Sequence, residues 1–408
     1  MNKLLACLCS LFSVLTLAGE TGVQSDKILL GQSAALSGSS QALGKNLWLG
    51  AQAYFDKINE QGGVHGRRIE VITRDDAYEG DKALVNTINL VKKDKVFALF
   101  GYVGTPTMVR ALPAVRKLNR DEDIFLFGNF TGAQPQRGEP YKDYIFNIRP
   151  SYKEETKGLV DHLVRLGHKK IGLFIQFDSY GRSGADGVRA ALKEHNLQVI
   201  EETTYMRGAK IDKKMSDQVK RLMEAGASAV ISIGSYEAST AFIRESRVLG
   251  YNAVIANVSF VGSDELLKKL LIEQSELQVD LTQRLLNSQV VPPWSDLSIP
   301  LVMEYQKDMK RYFKKENLSG EFNFISLEGY LNAKVFVQIL NKNGPKLSRN
   351  SFMEKAYSIK SLNIGLSETV NFSSKENQAL HEIYYTEYFD GESRIVKDWN
   401  RFLPTGPE

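Results

Sequence analysis

The sequence predicts an α/β protein of two lobes, each a doubly wound parallel sheet covered by helices. Short apolar strands alternate with helices over most of the chain. Residues 96–100 form a continuous apolar run, typical of a parallel strand that helices cover on both faces. Leu47, Ala51 and Tyr54 recur at helical spacing. A chain of 408 residues is too long for one ordinary hydrophobic core, and it contains too many strand–helix units for one sheet of usual size.

The elements follow one another regularly along the chain. The predicted strands lie at residues 28–31, 68–73, 96–100, 124–127, 171–175, 199–200, 230–233 and 254–255. Helices are expected between them, and two more at residues 298–313 and 326–340. Ser151 and Glu154 form the sequence pattern of a capping box, which opens a helix. Asp390 and Gly391 predict an antiparallel hairpin at the edge of the second sheet.

Composition limits the class of protein. Hydrophobic residues make up 43% of the chain and charged residues 25%, as in ordinary globular proteins. The net charge is +4, and the basic residues are interleaved with acids rather than gathered on one segment. Nucleic-acid binding requires a concentrated basic face, so we expect no nucleic-acid partner.

The N-terminus has the layout of a secretory signal peptide over residues 1–18. A short basic region containing Lys3 precedes an uncharged apolar stretch at residues 4–18, which is too short for a comfortable membrane span. An N-terminal anchor is the alternative. Cys7 and Cys9, the two cysteines of the chain, lie inside this stretch, where they do not suit lipidation. We therefore expect a thiol-free mature protein in the periplasm, with no Cys-ligated metal.

Sequence patterns of the common enzyme classes are missing. The chain has no Walker A loop, dinucleotide-binding glycine pattern, nucleophile elbow or zinc-protease motif, and its five histidines never occur at ligand spacing. Asp75 and Asp76 are adjacent carboxylates, but they follow a strand, where Asp commonly forms turns and caps. We expect no catalytic residue, no metal and no cofactor; an exported hydrolase is the disfavoured alternative.

Small polar residues follow the predicted strands of both lobes, at residues 101–106, 128–132, 178–181 and 234–236. Ligands of open parallel sheets bind outside the carboxyl ends of the strands, so these turns are expected to line a cleft. Thr105 is predicted as an N-cap with Pro106 as the first helical residue. The amides of such a helix start suit an anion such as a carboxylate.

Several short motifs in this order resemble the leucine/isoleucine/valine-binding family of ABC-importer receptors. They are residues 35–38, 58–66, 74–76, 100–101 and 180–181, and the resemblance runs from residue 28 to about residue 399. It implies two similar lobes joined by three hinge crossovers and closing on a ligand without chemistry. The crossovers are expected near residues 147–150, 288–293 and 362–365. The N-terminal lobe would comprise residues 26–147 with 290–362, and the C-terminal lobe residues 148–289 with 363–404.

The resemblance also implies the ligand-binding residues. They are Thr105, Asn129, Phe130 and Thr131 in the first lobe and Asp178, Tyr180, Tyr236 and Ser259 in the second. Two positions depart from the amino-acid binders of the family. Leu43 stands where an aromatic is often found, and Ser259 stands where an acid would pair with the ligand ammonium. We therefore expect a carboxylate or amide without a free ammonium to bind better than the branched-chain amino acids, unless Asp178 or Glu328 reaches the cleft and replaces that acid.

These observations predict a receptor that captures an amino acid or a related small carboxylate or amide and presents it to an inner-membrane ABC permease. A periplasmic sensor for a membrane kinase or chemoreceptor is the alternative within binding proteins, because both use the same closed lobes. The protein is expected to be a monomer.

Export provides the first testable prediction. The mature protein should begin near Gly19 and be recovered from the periplasm, because the uncharged stretch at residues 4–18 follows Lys3. N-terminal sequencing of fractionated protein checks this. Cytoplasmic protein that retains Met1 would contradict the prediction.

Overall fold

The computed structural model describes residues 19–373 and 376–405. The predicted signal peptide at residues 1–18, with Cys7 and Cys9, lies outside the described residues. Within the described ranges, no helix has both the length and the apolar composition needed to cross a bilayer.

The first lobe contains a five-stranded parallel sheet in the order β2-β1-β3-β4-β5. Its strands are β1 Lys27–Ala34, β2 Arg68–Asp75, β3 Ala98–Phe100, β4 Leu126–Phe127 and β5 Ile145–Phe146. Leu30, at the middle of β1, lies opposite Val71 on one side and Ala98 on the other. Both neighbours of β1 are parallel to it, as predicted.

The second lobe contains a seven-stranded sheet in the order β12-β11-β10-β9-β8-β6-β7. Its strands are β6 Ile171–Gln176, β7 Glu202–Tyr205, β8 Ala229–Ile233, β9 Val254–Asn257, β10 Leu285–Gln289, β11 Tyr384–Phe389 and β12 Glu392–Ile395. The hairpin of β11 and β12 is antiparallel and forms the sheet edge, which confirms that prediction. The prediction of a strand at residues 199–200 is wrong. The corresponding strand, β7, begins at Glu202, and its alternate side chains are buried. β5 and β10 were not predicted.

Helices cover both sheets. They are α1 Gln41–Glu60, α2 Gly80–Lys92, α3 Thr105–Glu122, α4 Tyr152–Arg165, α5 Ser179–Glu194, α6 Ser216–Glu224, α7 Tyr236–Val248, α8 Ser263–Leu277, α9 Pro300–Glu316, α10 Phe324–Asn343 and α11 Arg349–Ser358. The predicted capping box is confirmed, because the Ser151 hydroxyl accepts from the Glu154 amide and the Glu154 carboxylate accepts from the Ser151 amide. Asp178, Ser235 and Asn323 cap α5, α7 and α10.

Stacked phenylalanines form the centre of the first hydrophobic core. Phe125 and Phe352 stack with ring centroids 4.7 Å apart, and Phe127 meets Phe336 edge to face at 5.2 Å. These pairs join β4 and the residue before it to α10 and α11 in the C-terminal third of the chain. The first core is therefore built from two distant parts of the sequence.

The chain returns to the second lobe later than predicted. Leu362 and Val370 pair through two backbone hydrogen bonds of 2.9 Å, which turn the chain back on itself. The segment that follows packs in the first core, through residues such as Phe372 and Leu380. The amide of Asn147 donates to the carbonyl of Asn377 at 2.8 Å, beside β5. The third passage therefore lies between Leu380 and β11, and residues 363–373 and 376–380 lie with the first lobe rather than the second.

Glu154 and His381 join the first and third passages between the lobes. The Glu154 carboxylate lies 2.7 Å from Nδ1 of His381 and accepts hydrogen bonds from Gln378. Although burial opposes the shift, these partners and Ser151 lower the pKa of Glu154 to about 2. The Glu154 carboxylate in turn raises the pKa of His381. Two of the three connections are therefore held side by side.

Glycines allow α1 and α10 to pack closely in the first lobe. A Cβ on Gly50 would overlap the carbonyl oxygen of Ser326, and one on Gly329 would overlap that of Leu47. Since backbone atoms occupy both positions, neither contact can relax by a side-chain rotation.

Substitution at this contact provides the second prediction. Gly50→Ala should destabilise the protein by about 1–3 kcal/mol, because the added methyl forces α1 away from α10. Gly138→Ala is the matched control, since a Cβ there has no atom within 4 Å and its φ of −124° suits any residue. Urea unfolding measures both. Equal stability of the two variants would contradict the close packing.

Candidate functional site

The candidate site lies where the loops that follow the strands of the two sheets meet. β1 lies between β2 and β3 in one sheet, and β6 lies between β7 and β8 in the other. At such a switch point the connections leave in opposite directions, and a crevice opens at the carboxyl end of the sheet. Residues from both crevices pack in one hydrophobic cluster. The cleft between the lobes is therefore formed by two facing crevices.

Five aromatic side chains occupy the centre of this cleft: Tyr78 and Phe130 from the first lobe and Tyr152, Tyr180 and Phe260 from the second. We call them the cleft cluster. The Phe260 ring lies 5.2 Å from that of Phe130 and 4.8 Å from that of Tyr180, between centroids. All five side chains are buried. Since Phe260 contacts rings of both lobes, it links the two halves of the cleft.

Two threonine hydroxyls lie beside the cleft cluster, and Tyr152 of the cluster adds a third hydroxyl. The hydroxyl oxygens of Thr105 and Thr131 are 2.7 Å apart, and both residues are fully buried. Burial raises the pKa of Tyr152 to about 12, although Arg149 and the two threonine hydroxyls act in the opposite direction. The phenol is therefore a neutral donor at physiological pH, and its oxygen is buried without a hydrogen-bond partner. Such donors suit an anionic oxygen, such as that of a carboxylate.

Thr105 takes a different position from the one expected. It is the first residue of α3, and Gly104 is the N-cap, with a φ of 102° that favours glycine. A Cβ on Gly104 would overlap the ring of Tyr78. The expectation was wrong because threonine is the stronger N-cap signal in a sequence, whereas the approach of Tyr78 is visible only in the fold.

The two predicted tyrosines both reach the cleft. The Tyr180 hydroxyl donates to the carbonyl of Gly234 at 3.2 Å, so its ring rather than its polar end faces Phe260. The Tyr236 hydroxyl accepts from the amide of Ala42 at 3.4 Å. This hydrogen bond connects α7 of the second lobe to the start of α1 in the first.

Asp178 and Asn129 occupy the polar margins. Both Asp178 oxygens accept hydrogen bonds, one from the amide of Tyr180 at 2.9 Å and one from the Gln176 side chain at 2.7 Å. Asn129 is buried and donates to the Asn147 side chain at 3.2 Å, while its own side-chain oxygen lacks a partner. Asp178 therefore serves as the cap at the start of α5, whereas the side-chain oxygen of Asn129 is a buried acceptor without a donor.

Ser259 lies directly beside a buried acid, Glu155. The Ser259 amide donates to Oε2 of Glu155 at 2.8 Å and its hydroxyl to Oε1 at 3.0 Å. Ser288 donates to the same carboxylate at 2.7 Å, and Nη2 of Arg149 lies 3.3 Å from it. Nη2 also donates to the Ser259 hydroxyl. Glu155 is therefore fully hydrogen-bonded within the protein.

Glu328 approaches the same arginine from the first lobe. Its Oε1 lies 3.4 Å from Nη1 of Arg149, and Oε1 is buried without a hydrogen-bond partner. The Arg149 guanidinium lies 4.8 Å from the centre of the Phe130 ring. Burial raises the pKa of Glu328 to about 7, although Arg149 lowers it. Arg149, Glu155 and Glu328, here named the charged cluster, thus join the lobes behind the cleft cluster.

Sequence reasoning missed Arg149, Glu155 and Phe260. Arg149 stands in the first crossover, where a charged residue between Ile148 and Pro150 is the signal in the sequence that indicates it. Glu155 follows the capping box and resembles an ordinary acid of a first helical turn. Its role depends on partners far away in sequence, so no local pattern identifies it.

Other acids have structural roles. Asp75 accepts hydrogen bonds from the amides of Leu36 and Ala77 and from the hydroxyl of Ser37, and thereby organises the turns after β1 and β2. Asp76 accepts from Ser33 at 2.7 Å. Across the described residues, no group of three His, Cys, Asp or Glu side chains is arranged to hold a metal ion.

Comparison with known families agrees with this architecture. The periplasmic binding protein family matches residues 27–392, which is most of the chain.

The chain belongs to the periplasmic binding protein family.

Relatives are similar along much of the sequence. An amino acid binding protein of Pseudomonas aeruginosa is 26% identical over 242 residues, which are 59% of this chain and 62% of that relative, less than two thirds of its length. A Leu/Ile/Val-binding protein homolog of Brucella suis is 26% identical over 346 residues, covering 80% of this chain and 79% of the relative.

Solved structures show the same fold. A possible leucine/isoleucine/valine-binding protein from Rhodopirellula baltica superposes with a TM-score of 0.82 at 30% identity, over 93% of this chain and 98% of that one. A fatty acid ABC transporter substrate-binding protein from Thermomonospora curvata gives 0.79 at 22% identity, over 93% of each chain, and shares the fold. The predicted type I fold and the resemblance to leucine/isoleucine/valine-binding proteins are confirmed.

One departure from the amino-acid binders has a structural reason in this periplasmic binding protein. Leu43 is fully buried, and a Cβ on Gly262 of the second lobe would approach its side chain to 2.9 Å. Phe260, two residues before Gly262, places a ring in the cleft from the opposite lobe. An aromatic side chain at position 43 would compete with these neighbours for space.

Proposed function

We propose that this periplasmic binding protein captures a small organic solute between its lobes, in the periplasm, and presents it to an inner-membrane ABC permease. The solute is an amino acid or a related carboxylate or amide. One observation carries the proposal: unpartnered polar atoms and aromatic rings of both lobes meet in one buried cleft. Ligand sites combine apolar walls with a few converging polar groups in this way.

The chemistry of the cleft supports a carboxylate or amide oxygen at one end of the solute. Thr105, Thr131 and Tyr152 offer hydroxyl groups there, and none of the three carries a charge at neutral pH. The names of the relatives agree, since leucine, isoleucine, valine and fatty acids all carry a carboxylate. The rings of the cleft cluster suit an apolar body.

The arrangement of the crossovers supports capture by hinge closure. Two connections are held side by side through Glu154 and His381, and a third follows β10. Rotation at such element ends opens and closes two lobes without altering their cores. The solute leaves chemically unchanged, in keeping with a family of solute-binding proteins.

Ligand retention and compaction provide the third prediction. Native mass spectrometry of gently purified protein should detect one retained small molecule carrying a carboxylate or amide. Adding that molecule to solute-free protein should lower the radius of gyration in small-angle scattering, because the lobes close. Circular dichroism should stay unchanged, since the sheets do not rearrange. A bound molecule that emerges chemically altered, or an unchanged radius of gyration, would contradict the proposed function.

A further inference from the structure

The sheet of the first lobe ends in an open edge strand, β2. This strand pairs along its whole length with β1, and among the residues that the structure describes no other strand pairs with its outer side. Such an edge presents free amides and carbonyls that are available for pairing with another chain. The outer edge of β7 in the second sheet differs, because Arg221 and Gln218 of α6 donate to its outward carbonyls at 3.1 Å each.

Alternate residues of β2 direct their backbone groups away from β1. The amide of Arg68 donates to the carbonyl of Asp26, just before β1, so the backbone of Arg68 faces inward. In a strand, the backbone groups of successive residues point to opposite sides. The outward-facing residues are therefore Ile69, Val71, Thr73 and Asp75.

Side chains cap the two ends of this outward row and leave its middle open. Asn59 of α1 donates to the carbonyl of Ile69 at 2.9 Å and accepts from its amide at 2.7 Å. Asn86 of α2 donates to the carbonyl of Asp75 at 3.1 Å. The two residues between them have no such cap from any described side chain. Open backbone groups thus remain at the centre of the edge.

We propose that a second copy of the chain pairs with this open centre, so that two β2 strands run antiparallel across a twofold axis. A twofold interface presents the same patch from both copies. Val71 of one copy lies opposite Thr73 of the other, and Ile72 meets its own counterpart at the axis. The amides and carbonyls of Val71 and Thr73 then find partners in the second copy. The protein is a dimer rather than the expected monomer.

Charge complementarity favours this register. Glu70 of each copy lies opposite Arg74 of the other, at positions without backbone hydrogen bonds, where the side chains of a strand pair are closest. The two side chains are 44% and 35% exposed, so each can take a second partner beside its ion pair with Lys27 or Asp94. An ion pair therefore flanks Ile72 on each side of the axis.

The two neighbouring registers are unfavourable. One places Arg68 opposite Arg74, and like charges directly opposite destabilise a strand pair. The other pairs Val71 with Asp75, whose carbonyl already accepts a hydrogen bond from α2. Only the register centred on Ile72 pairs open residues with open residues.

A groove beside β2 receives side chains of the second copy. Val71 and Thr73 line this groove together with Trp48 of α1 and Leu318 after α9, and its volume is about 610 Å³. Residues opposite each other in a strand pair point to the same face, so Val71 of the second copy enters the groove. Leu318, which is 43% exposed, is then covered. Apolar burial thus adds to the backbone hydrogen bonds.

Disulfide trapping tests the pairing and its register and provides the fourth prediction. Ile72→Cys should oxidise to a covalent dimer on gels without reductant, because the two Cα atoms lie about 4.5 Å apart, within disulfide reach. Cys7 and Cys9 lie in the predicted signal peptide, so exported protein carries no competing thiol. Glu70→Cys is the matched control and should not cross-link, since its two copies lie about four residues, or roughly 14 Å, apart along the strands.

Charge reversal tests the same interface without a cross-link. The natural protein should sediment as a concentration-dependent dimer with or without solute, because the interface uses only the first lobe. Glu70→Arg should raise the dimer dissociation constant by at least roughly fivefold, since two attractions become repulsions. Adding Arg74→Glu should restore the dimer, because opposite charges again face each other. Glu354→Arg, the reversal of an exposed acid on α11, is the control and should leave the dimer unchanged.

The outcomes separate this interface from the proposed function. Natural protein that sediments as a monomer at every concentration would overturn the dimer and leave the receptor function intact. So would a dimer that forms only with solute, because closure rather than the β2 edge would then join the copies. A dimer that Glu70→Arg leaves unchanged, or that Glu70→Cys cross-links as readily as Ile72→Cys, would also overturn the proposed pairing.

Discussion

The arrangement of the two lobes depends on the guanidinium of Arg149. It leaves the first crossover, donates to Glu155 and Ser259 of the second lobe, and faces Glu328 of the first. Removing one partner from a buried ion pair commonly costs about 3–5 kcal/mol, because the remaining charge stays buried. Truncation of Arg149 would leave two such carboxylates. The aromatic rings in front of it, with Phe260 at their centre, exclude water and strengthen these interactions.

Parallel-sheet topology explains why this chemistry gathers in one place. Both lobes repeat one strand order, so each presents a crevice at the carboxyl ends of its strands. The three connections bring the crevices face to face, and most groups at the cleft follow a strand, lie in the first turns of a helix or lie in a crossover. Most of the first lobe packs in one hydrophobic core, whereas the core of the second lobe also takes in the first-lobe residues that line the cleft. The lobes can therefore move as units while the contacts at the cleft change.

Local sequence patterns predicted much of the fold, whereas they could not predict the contacts between the lobes. Apolar runs located most strands, and the residues at Asp390 and Gly391 located the hairpin. The third passage was misplaced because the pairing of Leu362 with Val370 has no simple sequence signal. Thr131, Tyr180 and Tyr236 lie at the cleft, and their role as ligand-binding residues stays a prediction. The partnership of Arg149 with Glu155 and Glu328 joins three separate segments, which one sequence cannot show.

Hydrogen–deuterium exchange with and without the retained solute tests the central claim most directly. If a solute binds between the lobes, amides must be protected on both sides of the cleft at once, because both lobes contact it. The account predicts slower exchange at residues 128–132 and 257–262, with β7 at the far edge of the second sheet unchanged. Protection confined to one lobe, or spread evenly over the chain, would contradict a site formed by the closing lobes.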